Sequence, residues 1–387
     1  MKETEKDREN QPQEAQGVSR RGFLKKATVA TAAAGVATLG FPMVARAKPV
    51  VLKMQGAWGA KDIWNGFAED YGKRVNEMSG GSLKIDYLVS GAVVKAFRIQ
   101  DAVHKGVLDA GHQVTVYWYG KSKVASLFGT GPVFGQDAHL GLAWIHYGGG
   151  QELYDELIER LKINTVGFFA FPMPTQPLGW FRKPIKKASD LKGLKYRTVG
   201  LAADLFQEMG VKVTQLPGGE IVPALERGVI EAFEFNNPTS DKSFGAHDVS
   251  KVYMMGSYHQ AAEFFEIIFN KDKFKSLAKE HQAILKYTAE AVNSNNFWKA
   301  IDQYSKDLLW LRDKAKVKLY RTSQGIMDAQ LKAWDVLIPR LSKKDPFFAK
   351  VLKSQKDFAH RASYYYILNQ CDYKLAFEHY FPGELGF

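Results

Sequence analysis

The sequence predicts an α/β architecture of two lobes tied together by long helices. Three observations point there: strands and short helices alternate over 49–106, the same alternation returns over 194–235, and from about residue 278 the pattern turns helical with few breakers.

Pro49 to Gln55 reads as the first strand, followed by a Gly/Trp loop from Gly56 to Gly59. Ile63, Phe67, Tyr71, Val75 and Met78 recur at three- and four-residue spacing, so 62–78 is an amphipathic helix, which Gly80-Gly81 stops. Leu83 to Leu88 is a second strand, and Val94 to Lys105 a second helix ended by Gly106. In the later stretch Leu194 to Arg197 is a strand, Leu201 to Met209 a helix closed by Gly210, and Val211 to Leu216 a strand. Ile221 to Arg227 is then a helix closed by Gly228, and Ala232 to Phe235 another strand. Such alternation indicates mainly parallel sheets covered on both faces. Ala278 to Lys316 is a long helix, and Pro346 to His379 another with no Pro or Gly inside it. Phe347, Phe348, Val351, Leu352, Phe358, Tyr364, Tyr365, Tyr366 and Ile367 make this last helix apolar enough that either its own lobe or a partner subunit must cover it.

The first 47 residues have a different logic. A polar stretch ends at Ser19-Arg20-Arg21-Gly22-Phe23-Leu24-Lys25-Lys26, a weakly apolar run extends from Ala27 to Phe41, and Ala45-Arg46-Ala47 closes it. Paired arginines before a small-residue apolar run and an A-x-A site form the twin-arginine export pattern, with cleavage after Ala47. Past residue 48 no stretch approaches the ~20 apolar residues that cross a bilayer as a helix. Of the formal charge of +12, the export segment carries eight basic and five acidic residues, leaving 45 against 36. The excess is interspersed, as in Lys271-Asp272-Lys273, so no nucleic-acid stripe is expected, and a surface favouring anionic ligands is. The single cysteine, Cys371, excludes an intramolecular disulfide or a cysteine-based metal site and reads as a buried small residue of the last helix.

The chain has no G-x-x-x-x-G-K-[ST] loop, no G-x-G-x-x-G, no H-E-x-x-H and no G-x-S-x-G elbow. Its nine histidines are scattered and read as satisfied core or surface residues. The promising constellation lies in the second lobe. Arg197 ends a strand just before Thr198, which can cap the next helix, and in open parallel sheets ligands bind beyond the carboxyl ends of strands. A guanidinium there matches a carboxylate through two parallel hydrogen bonds. Glu234 closes the strand Ala232–Phe235, so it faces the same crevice. Either a hard cation lies between Glu234 and an anionic ligand, or Glu234 pairs directly with Arg197 and leaves no room for an acid. Trp58 and Tyr117-Trp118-Tyr119 are candidates for the wall supplied by the first lobe.

Several segments together resemble the solute receptors of tripartite ATP-independent periplasmic (TRAP) transporters. They are Asp190 to Arg197, Pro217 to Gly228 with Val229 to Glu234, and Thr175 to Arg182. Ser90 to Val94, Gly111 to Gly120 and Gly129 to Gly135 resemble the subgroup that binds 2-oxo monocarboxylates such as pyruvate. The resemblance implies a periplasmic-binding-protein-like fold that closes by a hinge, with lobe I formed by 48–174 and 262–300, lobe II by 175–261 and 301–345, and a C-terminal helix over 346–387. It implies delivery of the ligand to small and large membrane subunits. It also implies that Arg197 clamps the ligand carboxylate, while Gln176, Glu234, the Phe235 carbonyl and Gln260 hold a sodium or calcium ion chelated by the ligand, Gln176 and Gln260 also facing the ligand. Phe235 stands where relatives often have Trp, and Asn236 to Asp241 departs from the usual loop, which bears on which acid fits. Members of the subgroup dimerise through an exchanged C-terminal helix, a role for which 346–380 is suited. The competing expectations are an exported lyase or hydrolase acting on a small organic acid through Glu234 and a histidine, and a sensor that signals its liganded state.

Overall fold

The computed structural model describes residues 48–386, so the export pattern of 1–47 lies outside the described residues. The two runs of alternating elements build two sheets. The first holds β1 (Val50–Gly56), β2 (Leu83–Leu88), β3 (Ala110–Gln113), β4 (Thr165–Met173) and β10 (Glu263–Asn270), in the order β2-β1-β3-β10-β4. The second holds β5 (Gly179–Phe181), β6 (Lys195–Arg197), β7 (Lys212–Thr214), β8 (Ala232–Phe233), β9 (Val252–Met255) and β11 (Lys318–Arg321), in the order β11-β9-β5-β8-β6-β7.

The expectation of mainly parallel sheets needs correction, because both sheets are mixed. β1 is parallel to β2 and β3, but β10 runs antiparallel to β3 and β4. Likewise β6 is parallel to β7 and β8, whereas β5 is antiparallel to β8 and β9. The reversed strands flank the two points where the chain passes between the sheets, 174–178 and 256–262, so they must enter each sheet against the local direction. Nothing in periodicity marks them: β10 is buried along its whole length, and a strand buried on both faces reads as a continuous apolar run.

The two crossings are joined to each other, Gln176 N–H donating to the Gln260 carbonyl at 3.3 Å and the Thr175 hydroxyl to the Ala261 carbonyl at 3.3 Å. The long helix Lys279–Asp313 is a third connection. It packs on β4 and on the Ile63–Met78 helix at one end, and on the Pro238–Ser243 helix of the second sheet's side further on. One core forms around Met54, Trp64, Phe67 and Ile267 and two smaller ones lie on either side of the second sheet. A further core joins Leu201 and Leu205 to Phe128 and Trp144 and to the helices Gln324–Lys344 and Pro346–Asn369.

The C-terminal helix divides. Pro346–Asn369 is long as expected, but Gln370 is extended and Asp372 caps a separate helix, Tyr373–Tyr380, by accepting from Leu375 N–H. Cys371 lies in this break and is exposed, which corrects its assignment as a buried residue of a continuous helix. Phe347, Phe348, Val351, Leu352 and Phe358 are buried on their own chain, whereas Tyr364, Tyr365, Ile367 and Leu368 are exposed, and the Tyr373–Tyr380 helix buries nothing.

One glycine fixes where the second sheet meets the first crossing. Gly179 has φ +119, and a Cβ there would lie 2.2 Å from the Phe233 carbonyl oxygen and 3.0 Å from Glu234 Cα. Gly179→Ala therefore strains the backbone and pushes β5 off β8. We expect a loss of more than ~1 kcal/mol, read as a lower urea midpoint at unchanged m-value.

Candidate functional site

β6 pairs in parallel with β8, with Arg197 opposite Phe233, so the carboxyl ends of the two strands coincide and bring Arg197 next to Glu234. Each side chain is 1% exposed. Arg197 Nε donates to the Leu216 carbonyl (2.8 Å), and Nη1 donates to the Glu234 carbonyl (2.8 Å) and to Glu234 Oε1 (3.0 Å). Gln176, on the first crossing, donates through Nε2 to Glu234 Oε2. The direct pair that the sequence left open does form. It does not exhaust the guanidinium, however, because Nη2 is buried without a partner among the described residues. The expectation that such a pair leaves no room for an acid is thus corrected: one edge of Arg197 is still unmet.

Around the pair lies the opposite deficit. Gln176 Oε1, Gln260 Oε1 and Glu263 Oε2 are buried oxygens with no hydrogen-bond partner among the described residues. Glu263 starts β10, directly beyond the second crossing, and feels the charges of both Glu234 and Arg197. Burial pushes its carboxyl well above the usual range and also raises that of Glu234, where Arg197 opposes the shift. Unmet amide and carboxylate oxygens around a buried acid form an all-oxygen set, which fits a hard cation such as sodium or calcium. Phe235 follows Glu234 with its ring 5.7 Å from the Arg197 guanidinium carbon and edge-on to Phe244. Gly218 admits this ring, since a Cβ there would stand 2.4 Å from it.

Of the aromatic candidates in the first lobe, one feels the charges of this centre and a second packs beside the first. Tyr117 is half-buried and feels Arg197, Glu263 and Glu234, and Trp58 packs 6.3 Å from it with its indole N–H unmet. The other two are committed elsewhere. Trp118 sits in the core, its indole donating to Glu266 Oε1 at 2.9 Å, and the Tyr119 hydroxyl donates to Asp204 Oδ2 at 2.6 Å. Thr198 does not cap the next helix either, for Gly200 precedes it. Sequence reasoning missed Glu263. The available signal was a pair of acids, Glu263 and Glu266, set in an otherwise apolar strand.

A cleft of about 500 Å³ opens beside Trp58 and Phe235, walled by Ala57 to Asp62 on one side and by Pro217 to Glu220 and Phe244 on the other. At its edge the two halves touch: the Ser240 hydroxyl donates to Asp62 Oδ1 at 2.8 Å. Asp62 is almost fully buried there without a cation, and burial raises its carboxyl to about 7.

Two lobes meeting over a buried arginine with unmet donors and acceptors suit the capture of a ligand. The comparisons agree. The family model for bacterial extracellular solute-binding proteins, family 7, matches residues 54–344, and the chain belongs to that family. It is a periplasmic solute-binding receptor of the TRAP type and not an enzyme. It is 33% identical over 307 residues to a monocarboxylate 2-oxoacid-binding periplasmic protein of Nostoc sp. (strain PCC 7120), covering 79% of this chain and 83% of the relative. It is similar to a TRAP periplasmic solute binding protein from Colwellia psychrerythraea, solved with bound calcium and pyruvate, at TM-score 0.77 and 31% identity over 83% of this chain and 98% of the other. A counterpart from Pseudoalteromonas atlantica T6c, solved with sodium and pyruvate, matches at TM-score 0.77 and 29% identity over 84% and 100%.

The Asp62 contact makes stability depend on pH. A carboxyl raised from 3.8 to about 7 on folding contributes stability that is full below about pH 4 and is lost as pH rises through about 7. Wild-type protein should therefore gain more stability between pH 8 and pH 5 than Asp62→Asn does in urea titrations. Equal gains in the two proteins would contradict the burial of an ionisable Asp62.

Proposed function

We propose that this receptor captures a small 2-oxo or 2-hydroxy monocarboxylate of the pyruvate kind together with a cation, and delivers it to the small and large membrane subunits of a TRAP transporter. The observation that carries this reading is the twofold deficit at Arg197: an unmet guanidinium edge that calls for an anion, beside unmet oxygens that call for a cation. A 2-oxo acid satisfies both at once, its carboxylate on Arg197 and its carboxylate and keto oxygens on the ion. Gln176, Glu234, the Phe235 carbonyl and Gln260 hold the ion, and Glu263 adds an oxygen to the set. The bound ion supplies positive charge that lets an acid sit beside Glu234. Sodium and calcium both accept such a shell. The names of the Nostoc relative and of the pyruvate-bound structures support the ligand class.

The reading extends to the whole chain. Residues 48–174 with 262–300 form lobe I and 175–261 with 301–345 lobe II, which close on the ligand by bending at 174–178 and 256–262. The twin-arginine segment exports the protein and is removed after Ala47. The exposed tail, with Tyr364, Tyr365, Ile367 and Leu368, is the dimerisation element, its apolar side covered by a second copy.

Calorimetry with pyruvate tests the clamp. Arg197→Ala should weaken binding by about 2–5 kcal/mol, and Arg197→Lys, which keeps the charge but loses the fork, should also weaken it. Pyruvate affinity unchanged in both variants would remove Arg197 from the site. Stripping sodium and calcium should abolish binding, and restoring one of them should recover it. For the tail, removal of residues 370–387 together with Tyr364→Ser and Leu368→Ser should convert a dimer to a monomer in analytical ultracentrifugation; a dimer that persists argues for another interface.

A further inference from the structure

We infer that His259 donates a hydrogen bond from Nε2–H to the carboxylate of the bound acid, and that Ser257 and Gln330 fix the imidazole tautomer that makes this so. The inference rests on the ligand class proposed above.

The Gln324–Lys344 helix carries a buried amide at Gln330. Gln330 is fully buried, and its Oε1 accepts from Tyr258 N–H at 2.8 Å, which identifies the other amide atom as the nitrogen. That nitrogen donates to Ser257 Oγ at 2.8 Å. Ser257 is also fully buried, and its Oγ lies 2.7 Å from His259 Nδ1. A serine hydroxyl has one proton. With Gln330 already donating to it, that proton finds an acceptor only if Nδ1 is unprotonated, so Ser257 donates to Nδ1 and the ring carries its own proton on Nε2. The opposite tautomer would leave the buried Ser257 proton and the Nε2 lone pair both unmet, each a cost of about 1–3 kcal/mol.

The result is a buried N–H donor with nothing among the described residues to receive it: His259 is fully buried and Nε2 has no partner there. The ring packs against Phe206 at 5.4 Å, within range of the Arg197 charge. Arg197, whose charge His259 feels, carries a second unmet donor at Nη2. An N–H cannot ligate a cation, so this atom belongs to the anion's side of the site. A carboxylate has lone pairs for more than one donor, and a neutral imidazole adds a bond without adding charge to a centre already balanced by Arg197, Glu234 and the ion. His259 thus departs from the expectation that each histidine is internally satisfied.

The test uses the mature chain labelled with 15N-histidine, with the His259 signals assigned by their loss in His259→Gln. Long-range 1H–15N correlation should show the Nε2–H tautomer in the free protein, and pyruvate with calcium should move that proton downfield. By calorimetry, His259→Phe should weaken pyruvate about tenfold or more, the scale of a lost bond to a charged group, with His259→Gln weakened less because it keeps an N–H. Ser257→Ala should release the tautomer and weaken binding by a smaller factor. An Nδ1–H tautomer, a proton unmoved by pyruvate that calorimetry shows to be bound, or undiminished affinity in His259→Phe overturns the inference while leaving the ligand class intact. Should the wild-type protein bind no 2-oxo acid with either cation, the ligand class itself falls, and this inference with it. If His259→Phe does not fold, the resonance measurements on wild-type protein decide alone.

Discussion

A guanidinium removed from water is the constraint around which this molecule is organised. Arg197 is charged at any working pH and almost wholly buried, a condition tolerable only if every face of the fork has a partner. Glu234 and the Leu216 and Glu234 carbonyls meet part of that demand. The protein leaves the rest unmet and places unmet oxygens close by. In the proposed function, a molecule with a carboxylate and an adjacent oxygen, accompanied by an ion, would supply the missing partners on both sides.

Unmet buried groups cost stability, and the surrounding structure has to hold them in place without collapsing onto them. Backbone constraints do much of this. Gly179 lets β5 press against β8 beside Glu234, and Gly218 admits the Phe235 ring. On the first lobe's side, Phe171 is held at φ 58, its N–H donating to Asn293 of the long helix, just before the chain leaves β4 for the second sheet. Opposite it, the register of β10 shifts between Glu263 and Phe265. Such an irregularity re-aims side chains. Residues three apart in a strand face opposite sides of the sheet, so Glu263 is turned toward the crossing while Glu266 takes hydrogen bonds from Gln113, Trp118 and Tyr154 in the core. Two acids three residues apart in one apolar strand thus have opposite duties.

The architecture also separates rigid from movable parts. Each sheet has its own core, and the crossings between them are short and joined by few hydrogen bonds. Besides the apolar core around Leu201 and Leu205, the halves touch through polar contacts: Asp62 with Ser240, and Asp204 with Tyr119 and Lys123. Polar contacts of this kind exchange readily with water when the halves part, unlike an apolar core. The helices Gln324–Lys344 and Pro346–Asn369 connect the two halves through a shared core, and the first of them also carries Gln330, which reaches the second crossing.

The sequence by itself determined the two α/β lobes, the long helices, and the placement of Arg197 and Glu234 at neighbouring strand ends. Each of these follows from local periodicity and from glycines that end helices, both of which act over a few residues. Tertiary structure alone decided the antiparallel strands at the crossings, the break at Gln370 to Asp372, and the presence of Glu263. It also decided that Trp118 and Tyr119 are committed to Glu266 and Asp204. Periodicity tells which way a side chain points from its own backbone but not what it meets there. Tyr117 and Trp118 are neighbours in the chain, yet Trp118 finds Glu266, 148 residues away, and so turns from a presumed wall of the site into part of the core.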